Sequence, residues 1–303
     1  MTKNRAAVMA AGATLLLALP AFPLASAATA APRNAKKAPK TAVKKPAAPA
    51  KTAAKIPYTA EQILDKTADA TGGRAAIAKI QTLVMNGTMD MKAQGLTGKV
   101  ETYLKAPNKF LMAATIPGIG EMRQAFDGTT GWAQDPFTGV RTLQGPELAL
   151  LRRTASLEGA INWRALYAKV EVVGMSKVNG RDAYVVKLTP RGTGPNVQPV
   201  TQYHDAQTFL PVRLDTVVQS PQGTFPTESY LSDYRSVEGL KMPFKLRQVV
   251  GGIAEIVTTF SEARVNVPVD EARFARPPAT TTTPPDSTGV VPPPAAPPVP
   301  GTP

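Results

Sequence analysis

The chain has 303 residues, no cysteine, a single histidine and a formal net charge of +13. Disulfide bracing, cysteine nucleophiles, Cys/His zinc sites and multi-histidine metal sites are thereby excluded. The positive charge does not point to nucleic acid, because it is gathered towards one end. Arg33, Lys36, Lys37, Lys40, Lys44, Lys45, Lys51 and Lys55 occur with no acidic residue among them, while 56–276 is close to balance.

Residues 1–27 read as a cleaved signal peptide, with Lys3 and Arg5 ahead of an almost wholly apolar stretch and Ala25-Ser26-Ala27 at its end. Export to a periplasm is the expectation. Residues 28–56 are Ala, Lys and Pro with almost no large apolar side chain, a composition that cannot offset the entropy of ordering. Two readings suit such a linker: contact with anionic membrane or cell wall, and a plain soluble spacer. Residues 57–278 form the expected single domain, and the Pro/Thr-rich tail 279–303 reads as extended and solvated.

Within the domain, Thr59 and Gln62 have capping-box spacing, followed by Ile63, Leu64, Thr67 and Ala70 on one helical stripe and then Gly72-Gly73. A second short helix is expected over 74–80. The segment 82–91 alternates, with Leu83, Met85, Gly87, Met89 and Met91 on one face. Methionines on one face suit either an adaptable ligand surface or ordinary core packing. Val100, Thr102 and Leu104 repeat the alternation, and the breaks Pro107-Asn108, Pro117-Gly118, Asp127-Gly128 and Asp135-Pro136 divide residues 97–143 into a β-meander. Pro146 and Glu147 then open a helix carrying Leu148, Leu151 and Ala155 on one side, placed where it could close over the mouth of a curved sheet. Alternating runs return over 170–175, 183–188, 200–204, 212–219, 227–234, 244–250 and 253–265. Roughly 10 to 12 strands in one sheet is a number at which twisted sheets curl, split or close.

Chemistry is sparse. His204, with Asp205 beside it in a turn, suits a structural or solvent-exposed role better than catalysis, and no G-x-S-x-G elbow or P-loop accompanies it. Trp132 and Trp163 could stack on a ligand or pack in a core. No cofactor, metal or enzymatic activity is expected. Apolar binding needs no catalytic group.

The order KAPNKF, then DGTTGW, then DPFTGVRTL resembles the periplasmic lipoprotein carriers of the LolA-like, lipoprotein-sorting family. Pro107, Asn108, Phe110, Asp127, Gly128 and Trp132 match its basic-x-Pro-Asn-x-Phe segment and DG-x-x-x-W hairpin, whereas Ala106 stands where the family often has an arginine. The resemblance implies a mainly β (α+β) fold, a single strongly curved antiparallel sheet forming an unclosed half-barrel covered by short helices. It further implies an apolar cavity for acyl chains of lipoproteins or other lipid, with an inner-membrane transporter and an outer-membrane receptor as partners. Met85, Met89, Met91, Leu104, Phe110, Met112 and Trp132 are then the expected lining, and Leu64, Leu148 and Leu151 the lid. The competing expectations are a periplasmic sensor or scaffold module of the same fold and, third, an envelope hydrolase using paired carboxylates.

Overall fold

The computed structural model describes residues 56–156, 163–192, 198–220, 223–252 and 254–278. The expected signal peptide 1–27, the linker up to residue 55 and the tail 279–303 lie outside the described residues. Two helices come first, α1 (Ala60–Ala70) and α2 (Gly73–Ile77). The capping box is formed: the Gln62 backbone N–H donates to Thr59 Oγ1 at 3.2 Å and the Thr59 N–H to Gln62 Oε1 at 2.9 Å.

A meander of six strands comes next, β1 (Thr82–Met91), β2 (Leu96–Lys105), β3 (Lys109–Ile116), β4 (Gly120–Phe126), β5 (Gly131–Asp135) and β6 (Gly139–Thr142). Helices α3 (Gly145–Ala155) and α4 (Trp163–Leu166) interrupt it. Seven more strands complete the domain: β7 (Tyr167–Val178), β8 (Arg181–Pro190), β9 (Val200–Asp205), β10 (Pro211–Ser220), β11 (Gly223–Val237), β12 (Leu240–Val250) and β13 (Ala254–Val265).

All thirteen strands lie in one sheet, ordered β6-β5-β4-β3-β2-β1-β13-β12-β11-β10-β9-β8-β7. Each half is a meander, and the two meet where β1 pairs antiparallel with β13, Leu83 facing Val265. Strands β6 and β7 stand at opposite edges and do not pair with each other, so the sheet is an unclosed half-barrel of mainly β structure. The strand number exceeds the expectation because β5 and β6, five and four residues long, are too short to show an alternation of their own.

The β1–β13 pairing slips by one residue at Asn86/Gly87. A Cβ on Gly87 would lie 2.2 Å from the Thr259 carbonyl oxygen, so only glycine lets the two strands approach there.

Packing differs on the two faces. The inner face carries the main cluster, in which Leu83, Met85, Leu104, Phe110, Met112, Val186, Leu246 and Phe260 meet Ile63 and Leu64 of α1, Ile77 of α2 and Leu151 of α3. A smaller cluster lies on the outer face, where Val84, Tyr103, Leu111, Ala125 and Trp132 are covered by Val269 and Phe274 of the segment beyond β13.

Candidate ligand-binding site

Register places the expected lining side by side. Met85 pairs with Thr102 and Thr102 with Met112, while Leu104 pairs with Phe110 and Phe110 with Phe126. Met89 and Met91 lie further along the same face of β1, and Leu64 and Leu151 come down on it from α1 and α3. Leu148 is half-buried against the same cluster. Trp132 is not among them. It pairs with Ala125 and sits in the outer-face cluster, fully buried, its indole Nε1–H donating to the Phe274 carbonyl at 2.8 Å. The expectation that Trp132 lines the inner face is therefore corrected.

Polar side chains share the inner face, and of these only Thr102 was placed there by the sequence pattern. Thr102, Gln124, Gln202 and Thr258 are buried there, and Thr102 Oγ1, Thr258 Oγ1 and Gln202 Nε2 have no hydrogen-bond partner among the described residues. Thr102 lies two residues from both Val100 and Leu104, so the alternation of β2 puts all three on one face.

Helix α1 is fastened over the C-terminal half of the sheet. Tyr58, just ahead of it, meets Tyr184 and Phe209 edge-on at 5.7 and 5.4 Å, and those two rings stack at 5.8 Å. Thr67 Oγ1 lies 2.8 Å from His204 Nδ1 and has the Ile63 and Phe209 carbonyls within hydrogen-bond reach of its hydroxyl. His204 is completely buried, which removes the solvent-exposed reading, and burial pushes its pKa down to about 4. Its uncharged imidazole, on β9, is a structural anchor for the roof. Asp65 of α1 accepts from Trp163 Nε1 at 3.3 Å and pairs with Arg164 at 3.3 Å, tying α1 to α4.

Helix α3 lies over the N-terminal half. Glu147 in its first turn receives a two-pronged contact from Arg141 of β6, at 2.7 and 2.5 Å, which holds the arginine pKa above its ordinary value. Beneath the helix is Gly131, where a Cβ would lie 2.7 Å from Leu148 Cδ1. The missing side chain lets α3 settle on the strand.

The resemblance motifs form two tied turns at one end of the sheet. Asp127 Oδ1 accepts from the N–H groups of Thr129 and Thr130 at 2.8 and 2.7 Å, and the Asn108 amide donates to the Gly128 carbonyl at 3.4 Å. Next to Ala106, Lys105 donates to the Val269 carbonyl at 3.1 Å and, with Lys109, pairs with Glu271 of the outer segment, whose pKa is lowered by the two ammonium groups.

No family model and no curated protein matches the chain. Similar solved structures include a DUF1329 family protein from Desulfovibrio piger, with a TM-score of 0.48 and 16% identity over 66% of this chain and 92% of that one. A LolA superfamily protein from Nitrosomonas europaea has a TM-score of 0.48 and 15% identity, covering 72% of this chain and 98% of its own. A domain described as a putative outer membrane lipoprotein-sorting protein, from Vibrio parahaemolyticus, scores 0.43 at 12% identity, over 64% and 88% of the two chains. These values describe a distant likeness and carry no functional assignment.

Among the described residues no group of three or more His, Cys, Asp or Glu side chains is arranged to hold a metal ion. No described helix is long and apolar enough to cross a membrane.

Proposed function

We propose that this chain is a periplasmic carrier or binding protein for the acyl chains of lipoproteins or other lipids. The observation that supports the reading is the construction of the roof. An apolar inner face is covered by α1 and α3, each joined to the sheet by polar contacts at defined points, such as Thr67 to His204 and Glu147 to Arg141. Such a roof can lift without loss of strand register, because the strands pair with one another along their length and the pairing does not run through the helices.

Each methylene transferred from water to an apolar surface contributes about 0.8 kcal/mol. A chain of a dozen methylenes therefore gains on the order of 10 kcal/mol before ordering costs. The roof's leucines give up comparable apolar contacts when they lift, so uptake and release differ by a small net free energy. In this role an inner-membrane transporter hands over the cargo and an outer-membrane receptor accepts it.

The second reading is a sensor or scaffold module whose core is simply filled. It draws on the same residues: Met85, Leu104 and Met112 have 0% exposure beneath the helices. Native mass spectrometry of the protein purified from its own periplasm separates the two. Stoichiometric acylated species support the carrier. A clean unliganded mass, with no uptake of a fluorescent fatty-acid probe, would sink it and leave the sensor or scaffold.

A further inference from the structure

A pocket of about 420 Å³ opens where the C-terminal end of α3 meets the β4–β5 turn and the end of α4. One wall is Phe126 and Leu166, both packed against the inner-face cluster. The other is basic: Arg152 and Arg153 line it, and no acidic side chain does so among the described residues.

The two arginines are differently placed. Arg152 is exposed, donates to the Thr129 carbonyl at 3.3 Å and lies 5.7 Å from the centre of the Phe126 ring. Arg153 is half-buried, and its guanidinium has no hydrogen bond or ion pair among the described residues. Beside it stands the phenol of Tyr167, its pKa pushed up to about 12 by burial, which supplies no negative charge. A guanidinium taken partly out of water is unfavourable unless an anion meets it, and the described residues supply none to Arg153. The last-turn carbonyls of α3 contribute the equivalent of only about half a negative charge, so among the described residues the two arginines leave the pocket net positive.

A planar guanidinium fork recognises phosphate and carboxylate. We propose that this pocket takes the anionic head group, a phosphate or carboxylate, of the amphiphile whose acyl chain lies on the inner face. The inference rests on the acyl-binding reading, since the continuity of Phe126 and Leu166 with the inner face is what joins head group to chain.

The test is calorimetric titration of the full mature chain with four probes: myristoyl lysophosphatidylglycerol, myristate, neutral monomyristoylglycerol and inorganic phosphate. The wild type is expected to bind the two anionic amphiphiles about tenfold more tightly than the neutral one, an interval typical of a charge-assisted contact. In the double variant Arg152→Gln/Arg153→Gln that preference disappears while affinity for monomyristoylglycerol is retained, with circular dichroism as the check on folding. Equal wild-type affinities for all three amphiphiles overturn the head-group site and leave the acyl reading standing. A preference that survives in the double variant overturns it too. Inorganic phosphate bound as tightly as the amphiphiles shows a free-anion site and overturns the link to a lipid. Failure of every amphiphile to bind removes the acyl reading, and this inference with it.

Discussion

Trp132 and His204 are both buried, and each turns a local arrangement into a measurable quantity. Replacing Trp132 with Phe keeps most of the apolar volume but leaves the Phe274 carbonyl without its donor, so about 1–3 kcal/mol of stability is expected to be lost in urea unfolding. Affinity for an acyl probe stays unchanged, because the indole lies on the face away from α1 and α3; a drop in affinity would contradict that placement. His204 has its folded pKa depressed to about 4 by burial, below the unfolded value of about 6.5. The unfolded chain therefore binds the extra proton first, and the contribution of the neutral ring, complete above pH 6.5, is lost as pH falls towards 4 at up to about 1.4 kcal/mol per pH unit. His204→Gln removes the imidazole and leaves Asp205, with its 2.9 Å contact to Arg181, present in both proteins. Unfolding at pH 7 and pH 5 measures the ring's share: the stability difference between the two pH values is expected to shrink in the variant, and an unchanged difference would remove the assignment to His204.

Helix α3 depends on what is missing beneath it. The glycine at 131 admits Leu148 and Leu151 against β5, and a branched side chain there would drive into both. Gly131→Val is expected to destabilise the protein by about 1–3 kcal/mol through overpacking. Amides of α3 then exchange faster, and a fluorescent fatty acid enters more quickly than in the wild type. Hydrogen exchange together with stopped-flow probe uptake tests this, and accelerated exchange without accelerated uptake would show that α3 is not the lid. Much at this scale was legible. The alternation of 82–91 defined β1 and its apolar face, the Thr59/Gln62 spacing defined the start of α1, and Pro146-Glu147 defined the first turn of α3. Trp132 was not legible, because its face is set by the hairpin register. Phe126 pairs with Gly131, which sets Trp132 opposite Ala125 and on the outer face, and one residue more or less in the Asp127-Gly128 turn would reverse that.

For the whole molecule, the decisive contact is the antiparallel pairing of β1 with β13, which joins Leu83 to Val265 across almost the entire domain. Contacts so distant in sequence form after the local hairpins and slow folding. With no disulfide to hold the halves, their stability is set by non-covalent contacts. Amides of β1 and β13 are expected to exchange only through global unfolding, while those of α1 and α3 exchange through smaller openings in which the roof lifts from the intact sheet. Native-state hydrogen exchange across a denaturant series distinguishes the cases. Uniform protection of helices and strands would make the roof part of the cooperative core and favour the sensor or scaffold reading over the carrier.

Composition, periodicity and turn chemistry were enough to determine an antiparallel β architecture with short covering helices and a methionine-bearing apolar face, because those features repeat every two or 3.6 residues within a local window. The tertiary structure alone decided which strand pairs join the two meanders, which face each hairpin residue takes, that His204 closes against Thr67, and that Arg153 stands beside Tyr167. Those outcomes depend on pairs of residues far apart in the chain, and a local pattern holds no information about the partner.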